Sequence, residues 1–587
     1  METKPTLEER LQRDPEWMRH PVFACLSQHS SAIILCVLLF ILYGLFLAHK
    51  IDLTTADLGR HIKNGEMLLE NSSVLTQNVY SYTYPASTWV NHHWGSGLLA
   101  YAIWKSFGFV GIQIVFIVFS FATLAVFLFL GKSYAGWGIT GFITLAVVPL
   151  LGERTEVRPE VISYLFSGLF FLLLCRYRES SQGLTFGKAK VSTWGALWLL
   201  PFIEVLWVNT HVYFLLGPLI LGAFLLESLL IRRAVFLKLL LVFLATVVAM
   251  LVNPFGIKAF TAAVTIFENY GYRLAENQPV WFMEKIMPEP NFLIFKILFG
   301  LLVLSFIFVI ARRRQFLRLS HLFVITGIGL MAWFAIRNLA LFGFFLIPVV
   351  AANARSILGS RFDDRILQKI AAVFAVGTFF VFATFGVPRH FPYWREFGFG
   401  LERGNSAAIE FLSQHEISGP IFNNYDIGGY LIFHLFPHEK VFVDNRPEAY
   451  PVEFFTKEYI PMQEDSAVWK EKLAEYHFNA IVFSHRDATP WGQRFLIERV
   501  QDPDWAPVFV DEKVLILIRR TEANRAVIQA FTLPPETFKI SVWSMSPNPC
   551  LLRNCSAGYE RTVRKTQNSK AIPRFPHRIL AAHHNFS

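Results

Sequence analysis

Residues 291–318 read NFLIFKILFGLLVLSFIFVIARRRQFLR, and this stretch decides what kind of protein the chain is. Positions 291–311 carry one charged side chain, Lys296. At about 1.5 Å per helical residue such a run crosses a hydrocarbon core about 30 Å thick. Arg312, Arg313, Arg314 and Arg318 follow at once. Short loops rich in Lys and Arg stay on the cytoplasmic side, because insertion opposes moving cations outward. The stretch therefore reads as a membrane span whose C-terminal end is inside.

Working outward, the pattern repeats. Further basic clusters are Lys4/Arg10/Arg13/Arg19, Arg176/Arg178/Lys188/Lys190, Arg232/Arg233/Lys238 and Arg355/Arg361/Arg365/Lys369. Apolar runs lie near 31–49, 109–131, 137–151, 161–175, 193–208, 213–231, 239–252, 291–311, 321–336, 341–354 and 369–387. Counted as crossings from a cytoplasmic N-terminus, these eleven runs put every basic cluster inside and everything after residue 388 outside. The same count puts Asp57, Arg60, His92, His93, Arg154, Arg158, Asn209, His211, Asn253 and Arg337 outside. Segment 97–108, GLLAYAIWKSFG, fits an interfacial helix, a re-entrant piece or part of a longer tilted span.

Composition agrees. Of 587 residues, 53% are hydrophobic and 59 are Phe, with a mean hydropathy of +0.40. The net charge of +10 sits in the cytoplasmic loops, which argues against nucleic-acid binding. Residues 1–30 are a polar cytoplasmic segment, and the first apolar run reads as an anchor, not a cleaved signal. Cys25, Cys36 and Cys175 lie in or beside apolar segments, and Cys550 and Cys555 form a close pair in the tail. No Cys or His spacing indicates a metal or cofactor, so a divalent metal is unsupported.

The reading divides the chain into a multi-span region, 31–387, with outward loops 50–96 and 253–290, then an extracytoplasmic α/β domain, 388–521. In that domain NSAAIEFLSQ and SAVWKEKLAEY look helical. PIFNN, KVFVD, FNAIVFS and APVFVDEKVLILI look like strands. Residues 522–587 lack periodicity and read as a disordered tail. In loop 50–96, TADLGRHIKNGEMLLE (55–70) is an amphipathic surface helix.

Polar residues outside a helical bundle make a site. Asp57 is placed to act as a general base toward an acceptor, or to cap the following helix. Arg60 and His61 share its turn. His92 and His93 suit hydrogen bonding to a substrate headgroup better than chelation. Arg154 and Arg158 suit a phosphate, or pairing with Glu153, Glu156 or Glu160. Asn209 and His211 sit in a short inter-span turn, with helix capping as the plain role for Asn209. Arg337 is a further phosphate-ligand candidate. In NYDIGGY and VFVDNRPEAY, Gly428-Gly429 lacks a nucleotide-binding context, and Asp444 with Arg446 reads equally as a buried pair holding a loop.

These segments, in this order, resemble a bacterial family of polytopic membrane glycosyltransferases with the GT-C architecture. The matching residues are Asp57, His61 and Gly65; Trp89 to Trp94; Arg158-Pro159; Trp207 to His211; Asn253-Pro254-Phe255-Gly256; Gly428 to Leu431; and Asp444 to Arg446. The chain departs from the pattern at His93, where a glutamate is expected. The resemblance implies an α-helical polytopic protein of about eleven spans with a C-terminal extracytoplasmic α/β domain, in a bacterial inner membrane. It implies transfer of a sugar from a polyprenyl-phosphate donor to an extracytoplasmic glycan, lipid or protein acceptor, with inversion and without a required cofactor. Asp57 would be the base, and the arginines would hold the phosphate. A transporter or flippase for an anionic lipid or solute, or a non-catalytic scaffold, are the rival readings.

Overall fold

The computed structural model describes residues 21–55, 57–180, 193–266, 268–359, 361, 363–385, 396–534 and 537–538. The expected N-terminal basic cluster, Lys188, Lys190 and the Cys550/Cys555 pair lie outside the described residues.

The chain is an integral membrane protein of helical architecture. Among the described residues, seven helices are long and apolar enough to cross a membrane. These are Ser30–Leu47, Trp94–Leu151, Glu160–Glu179, Val212–Ile231, Pro290–Arg312, Ile336–Leu358 and Asp364–Thr384. Shorter apolar helices, Trp194–Val208 and Leu319–Phe334, and the helix Arg233–Ala249 lie on three more of the expected runs. At 58 residues Trp94–Leu151 exceeds any single span, and its backbone leaves helical geometry at Gly108 (φ 63°) and Gly136 (φ 78°). Glycine adopts these angles without the clash a Cβ would bring. The break at Gly136 is held from across the bundle, where Asp364 accepts hydrogen bonds from the Gly138 N–H at 2.8 Å and the Trp137 N–H at 3.3 Å. The break at Gly108 ends the rod that begins at Trp94, so segment 97–108 is not continuous with the following span. That rod packs on the helix Leu58–Asn71 instead.

The helices gather polar groups at their two ends. At one end stand Arg154, Arg158, Asn209 and Arg337. At the other, Arg178 pairs with Glu227 at 2.7 Å, and Glu227 also accepts the Ser320 N–H at 2.8 Å. The core between is aromatic and aliphatic, with Phe127, Phe170, Phe171, Phe344 and Phe345 fully buried.

The small C-terminal α/β unit carries a four-stranded sheet of β1 (Ile421–Asn423), β2 (Ala480–Ser484), β3 (Trp505–Val510) and β4 (Val514–Arg519). Its order is β1-β2-β4-β3, with β1 parallel to β2 and both other pairings antiparallel. Period-two alternation divides the side chains between two cores. Ile481, Phe483, Leu515 and Leu517 face Trp469, Phe478 and Phe495. Ala480, Val482, Ile516 and Ile518 share a core with Ile51, Leu53, Leu58, Ile62 and Tyr80 of the first long loop. One face of the sheet is thus built onto the membrane region.

Two expectations need correction. KVFVD is not a strand. Val441 makes only a one-residue bridge to Ser81, and the Asn423 side chain bonds the Phe442 N–H and the Val443 carbonyl where a ladder would run. The expected tail starts as structure, because Arg525–Phe531 is a helix with Val527 and Ile528 packed on the sheet core. Residues 539–587 lie outside the described residues.

Candidate active site

The site begins where loop 50–96 enters the helix Leu58–Asn71. Asp57 occupies the N-cap position, yet its side chain makes no capping hydrogen bond. It is turned toward the α/β unit, where the Asn445 amide donates to its Oδ1. Arg60, buried to 4% exposure, donates from Nε to Asn445 Oδ1 at 3.1 Å and stands 3.9 Å from Asp57 Oδ2. About a quarter of the Asp57 side chain (26%) stays open to solvent. Burial raises its carboxyl above the ordinary range, while Arg158 and Arg60 oppose the shift and Glu276 and Glu156 add to it. A recessed, partly open carboxylate held by an amide suits proton acceptance.

Steric closeness positions this helix. A Cβ on Gly65 would lie 2.3 Å from the Gly97 carbonyl oxygen, and one on Gly59 would lie 2.8 Å from the Gly429 carbonyl oxygen. The Trp94 rod and the helix Gly428–Leu435 therefore clamp Leu58–Asn71 from two sides. A Cβ on Gly428 would meet the Asp444 Cα at 2.4 Å. Gly428 thus serves close packing against Asp444, and the Gly429 carbonyl faces Gly59.

The arginines converge. Arg154 and Arg158 come from the turn before Glu160, which is not helical, so their spacing does not set a common helical face. They meet instead through Glu276 of loop 253–290, at 2.8 Å and 3.0 Å, and Arg337 approaches the same carboxylate at 3.5 Å. Arg154 also pairs with Glu160 at 2.6 Å, Arg158 with Glu156 at 2.7 Å, and Arg337 donates to Asn277 at 3.1 Å. Although burial alone would raise it, the three guanidiniums hold the Glu276 carboxyl well below the usual carboxylate range. Arg337 also lies over the Tyr213 ring, 5.2 Å from its centroid.

His93 sits at the centre of a histidine cluster. Its ring lies 4.3 Å from His92, 5.1 Å from His61 and 5.1 Å from His211, centroid to centroid. Burial lowers the pKa of His92 to about 4, and burial with the neighbouring cations holds His61 and His93 well below the ordinary value. These imidazoles are neutral hydrogen-bonding groups at neutral pH. Nδ1 of His61 and Nδ1 of His92 are buried without partners. Among the described residues, no group of three or more His, Cys, Asp or Glu is placed to hold a metal.

Two candidates take local roles. Asn209 donates to the carbonyls of Val205 (2.7 Å) and Val252 (2.8 Å) and accepts from Trp94 Nε1 at 3.0 Å, closing the helix end. Asn253 accepts the Phe255 N–H at 2.8 Å, an Asx turn. His211 contacts Ser163 at 2.8 Å through Nδ1 and presents its ring to the cluster.

In the α/β unit, Asp444 and Arg446 are fully buried and paired at 2.6 Å. The Arg446 guanidinium lies 4.5 Å from the Trp89 ring and 5.2 Å from Tyr80, and donates to Asn78 at 2.5 Å. This pair clamps the first loop onto the α/β unit. Sequence reasoning passed over Asn445, although it lies inside the Asp444 to Arg446 motif, and gave no role to Glu276. It also missed Asp426, whose carboxyl is pushed up to about 7 by burial and by Asp487 and Asp57.

Beside the arginines a cleft of about 690 Å³ runs between loop 253–290 and the helix Leu319–Phe334. Tyr270, Leu274, Leu330 and Phe334 line it, and Asn277 and Asn338 lie at its polar end. Leu330 and Phe334 are 50% and 59% exposed, so the cleft opens on the apolar flank.

No protein-family model and no curated protein sequence matches this chain. Solved structures do. The archaeal oligosaccharyltransferase AglB from Archaeoglobus fulgidus, in complex with an inhibitory peptide and a dolichol-phosphate, superposes with a TM-score of 0.52 at 11% identity, over 84% of this chain and 73% of that one. This chain has the GT-C fold. ArnT from Cupriavidus metallidurans bound to undecaprenyl phosphate aligns over 84% of this chain and 99% of that one, at 12% identity and a TM-score of 0.46. On this GT-C scaffold, the first long loop, the arginine turn and the α/β unit meet at one end of the bundle.

Proposed function

We propose that this GT-C protein is an inverting membrane glycosyltransferase that uses a polyprenyl-phosphate sugar. The observation that carries the reading is that a carboxylate and an arginine cluster share one end of the bundle: Asp57 stands 3.9 Å from Arg60, and Arg158, whose charge acts on Asp57, shares Glu276 with Arg154 and Arg337. A base and a phosphate-binding group lie on one end of the bundle, beside a cleft that suits a prenyl chain.

In this reading the acceptor O–H or N–H gives its proton to Asp57 as its heteroatom bonds to the anomeric carbon. The sugar–phosphate bond breaks on the opposite face, and its electron pair leaves with the phosphate. The arginines stabilise that charge in a site where water is scarce. Arg60 and Asn445 hold Asp57 in position, and the neutral His61, His92, His93 and His211 hydrogen-bond the sugar or acceptor. The reaction side is extracytoplasmic in a bacterial inner membrane, with the N-terminus inside, following the basic-loop rule. The acceptor is a glycan, lipid or protein outside the cytoplasm, and no cofactor is assigned.

The test is transfer from a labelled polyprenyl-phosphate sugar in membranes containing Asp57→Asn. The expected loss is about 10²- to 10⁴-fold, the usual contribution of a positioned base; a wild-type rate removes Asp57 from the role. Arg158→Ala should weaken donor binding, and unchanged donor affinity would return it to a structural part.

A further inference from the structure

We propose that Glu276 is the resident counter-anion of the arginine cluster, replaced one charge for one by the donor's phosphodiester, so that the site selects a singly charged lipid phosphate over a lipid diphosphate. The inference rests on the donor reading above and gives Glu276 the part of setting which phosphate charge the site accepts.

The three arginines divide their partners unequally. Glu160 serves Arg154 and Glu156 serves Arg158, each within six residues in sequence. Glu276 is the carboxylate all three approach, and it comes from a separate loop that follows Arg154 and Arg158 by 122 and 118 residues. Its neighbour Asn277 lines the cleft and takes the Arg337 hydrogen bond. The Gln278 carbonyl accepts the Ile336 N–H at 3.1 Å. A headgroup arriving along the cleft therefore meets the segment that carries Glu276 first.

Charge then decides what fits. With Glu276 in place, Arg154, Arg158 and Arg337 face Glu156, Glu160 and Glu276, and the cluster is neutral. Withdrawing Glu276 leaves one positive charge. A phosphodiester carries one negative charge and restores neutrality. Its oxygens offer the guanidiniums charge-assisted, forked hydrogen bonds. Arg337 Nε is buried without a partner and remains open as a donor. A lipid diphosphate ester brings a second negative charge into a recessed site with nothing to balance it, which is costly. The leaving phosphate monoester carries roughly −1.5 to −2 at pH 7. It overfills the same cluster, so the return of Glu276 helps expel it.

The test uses the full-length protein in nanodiscs with three probes: farnesyl methyl phosphate, farnesyl phosphate and farnesyl diphosphate. The wild-type and Glu276→Gln proteins should both bind the diester most tightly, and Glu276→Gln, which removes the anion every probe must displace, should tighten all three by a similar factor of about tenfold or more; Glu276→Asp should keep the wild-type affinities. Hydrogen exchange across residues 268–279 of the wild-type protein should rise when the diester binds, a readout that needs no variant. A Glu276→Gln protein that binds the probes no tighter, or that tightens the multiply charged probes more than the diester, or a wild-type protein that binds the diphosphate as tightly as the diester, or wild-type exchange that does not move, overturns the exchange and leaves the donor reading standing. Failure of every probe to bind either protein overturns both.

Discussion

Gly65→Ala converts one methyl group into a test of how the site is positioned. The added carbon would lie 2.3 Å from the Gly97 carbonyl oxygen and 2.7 Å from Tyr101 Cβ. Favourable contacts lie near 3.5 Å, so the helix Leu58–Asn71 must withdraw from the Trp94 rod by about 1 Å. Asp57, Arg60 and His61 ride on that helix end. A displacement of about 1 Å in positioned groups costs on the order of 10²-fold in rate, or about 2.7 kcal/mol of transition-state stabilisation. The overpacking itself should lower stability by about 1–3 kcal/mol. The assay is the initial rate of sugar transfer in proteoliposomes, with thermal unfolding followed in parallel. Turnover should fall while donor affinity holds, because Arg154, Arg158 and Arg337 belong to other elements. Gly300→Ala supplies the control, since its added Cβ would meet nothing within 4 Å. A Gly65→Ala enzyme that keeps wild-type turnover, with Gly300→Ala equally active, would refute the idea that this contact sets the position of Asp57.

Other outcomes follow from the same geometry. Asn445→Ala removes the amide that donates to Asp57 and accepts from Arg60; charge-assisted bonds of this kind are worth about 1.5–3 kcal/mol, so transfer should fall roughly 10- to 100-fold, and a full wild-type rate with a folded α/β unit would count against it. Arg446→Ala strands the fully buried Asp444 and should cost about 3–5 kcal/mol, read as earlier proteolysis or unfolding of the α/β unit. His92 is neutral in the fold with a pKa lowered to about 4, against about 6.5 when unfolded. Its contribution to stability is full above about 6.5 and is lost as pH falls toward 4; unfolding measured across that window should show the decline, and His92→Gln should reduce it. The raised Asp57 carboxyl should place the acid limb of the transfer rate above the ordinary carboxylate range near about 4, and Asp57→Asn should abolish that limb.

The membrane class and the helical runs were legible because span length and basic punctuation are one-dimensional signals. Gly108 and Gly136 show where that legibility stops: an apolar run does not reveal a positive φ inside it. The arginines were legible as candidates, but their convergence was not, since Glu276 is brought to them by a loop whose path depends on tertiary packing. KVFVD carries strand propensity, yet the Asn423 side chain takes the bonds a neighbouring strand would need. Asn445 was overlooked between two charged residues because an amide carries no charge signal. Its importance appears only when a residue 388 positions earlier arrives beside it.

That separation has a consequence for how the protein is made. Asp57 leaves the ribosome early, while Asn445 and the Asp444–Arg446 clamp emerge 388 residues later. At about 5–20 residues per second, the delay is roughly 20 to 80 s. Throughout it the first loop lacks the sheet face that buries Ile51, Leu53 and Tyr80. A nascent or truncated chain therefore holds Asp57 without its Asn445 anchor, and on the proposed reading transfer begins only after the α/β unit docks on the first-made loop.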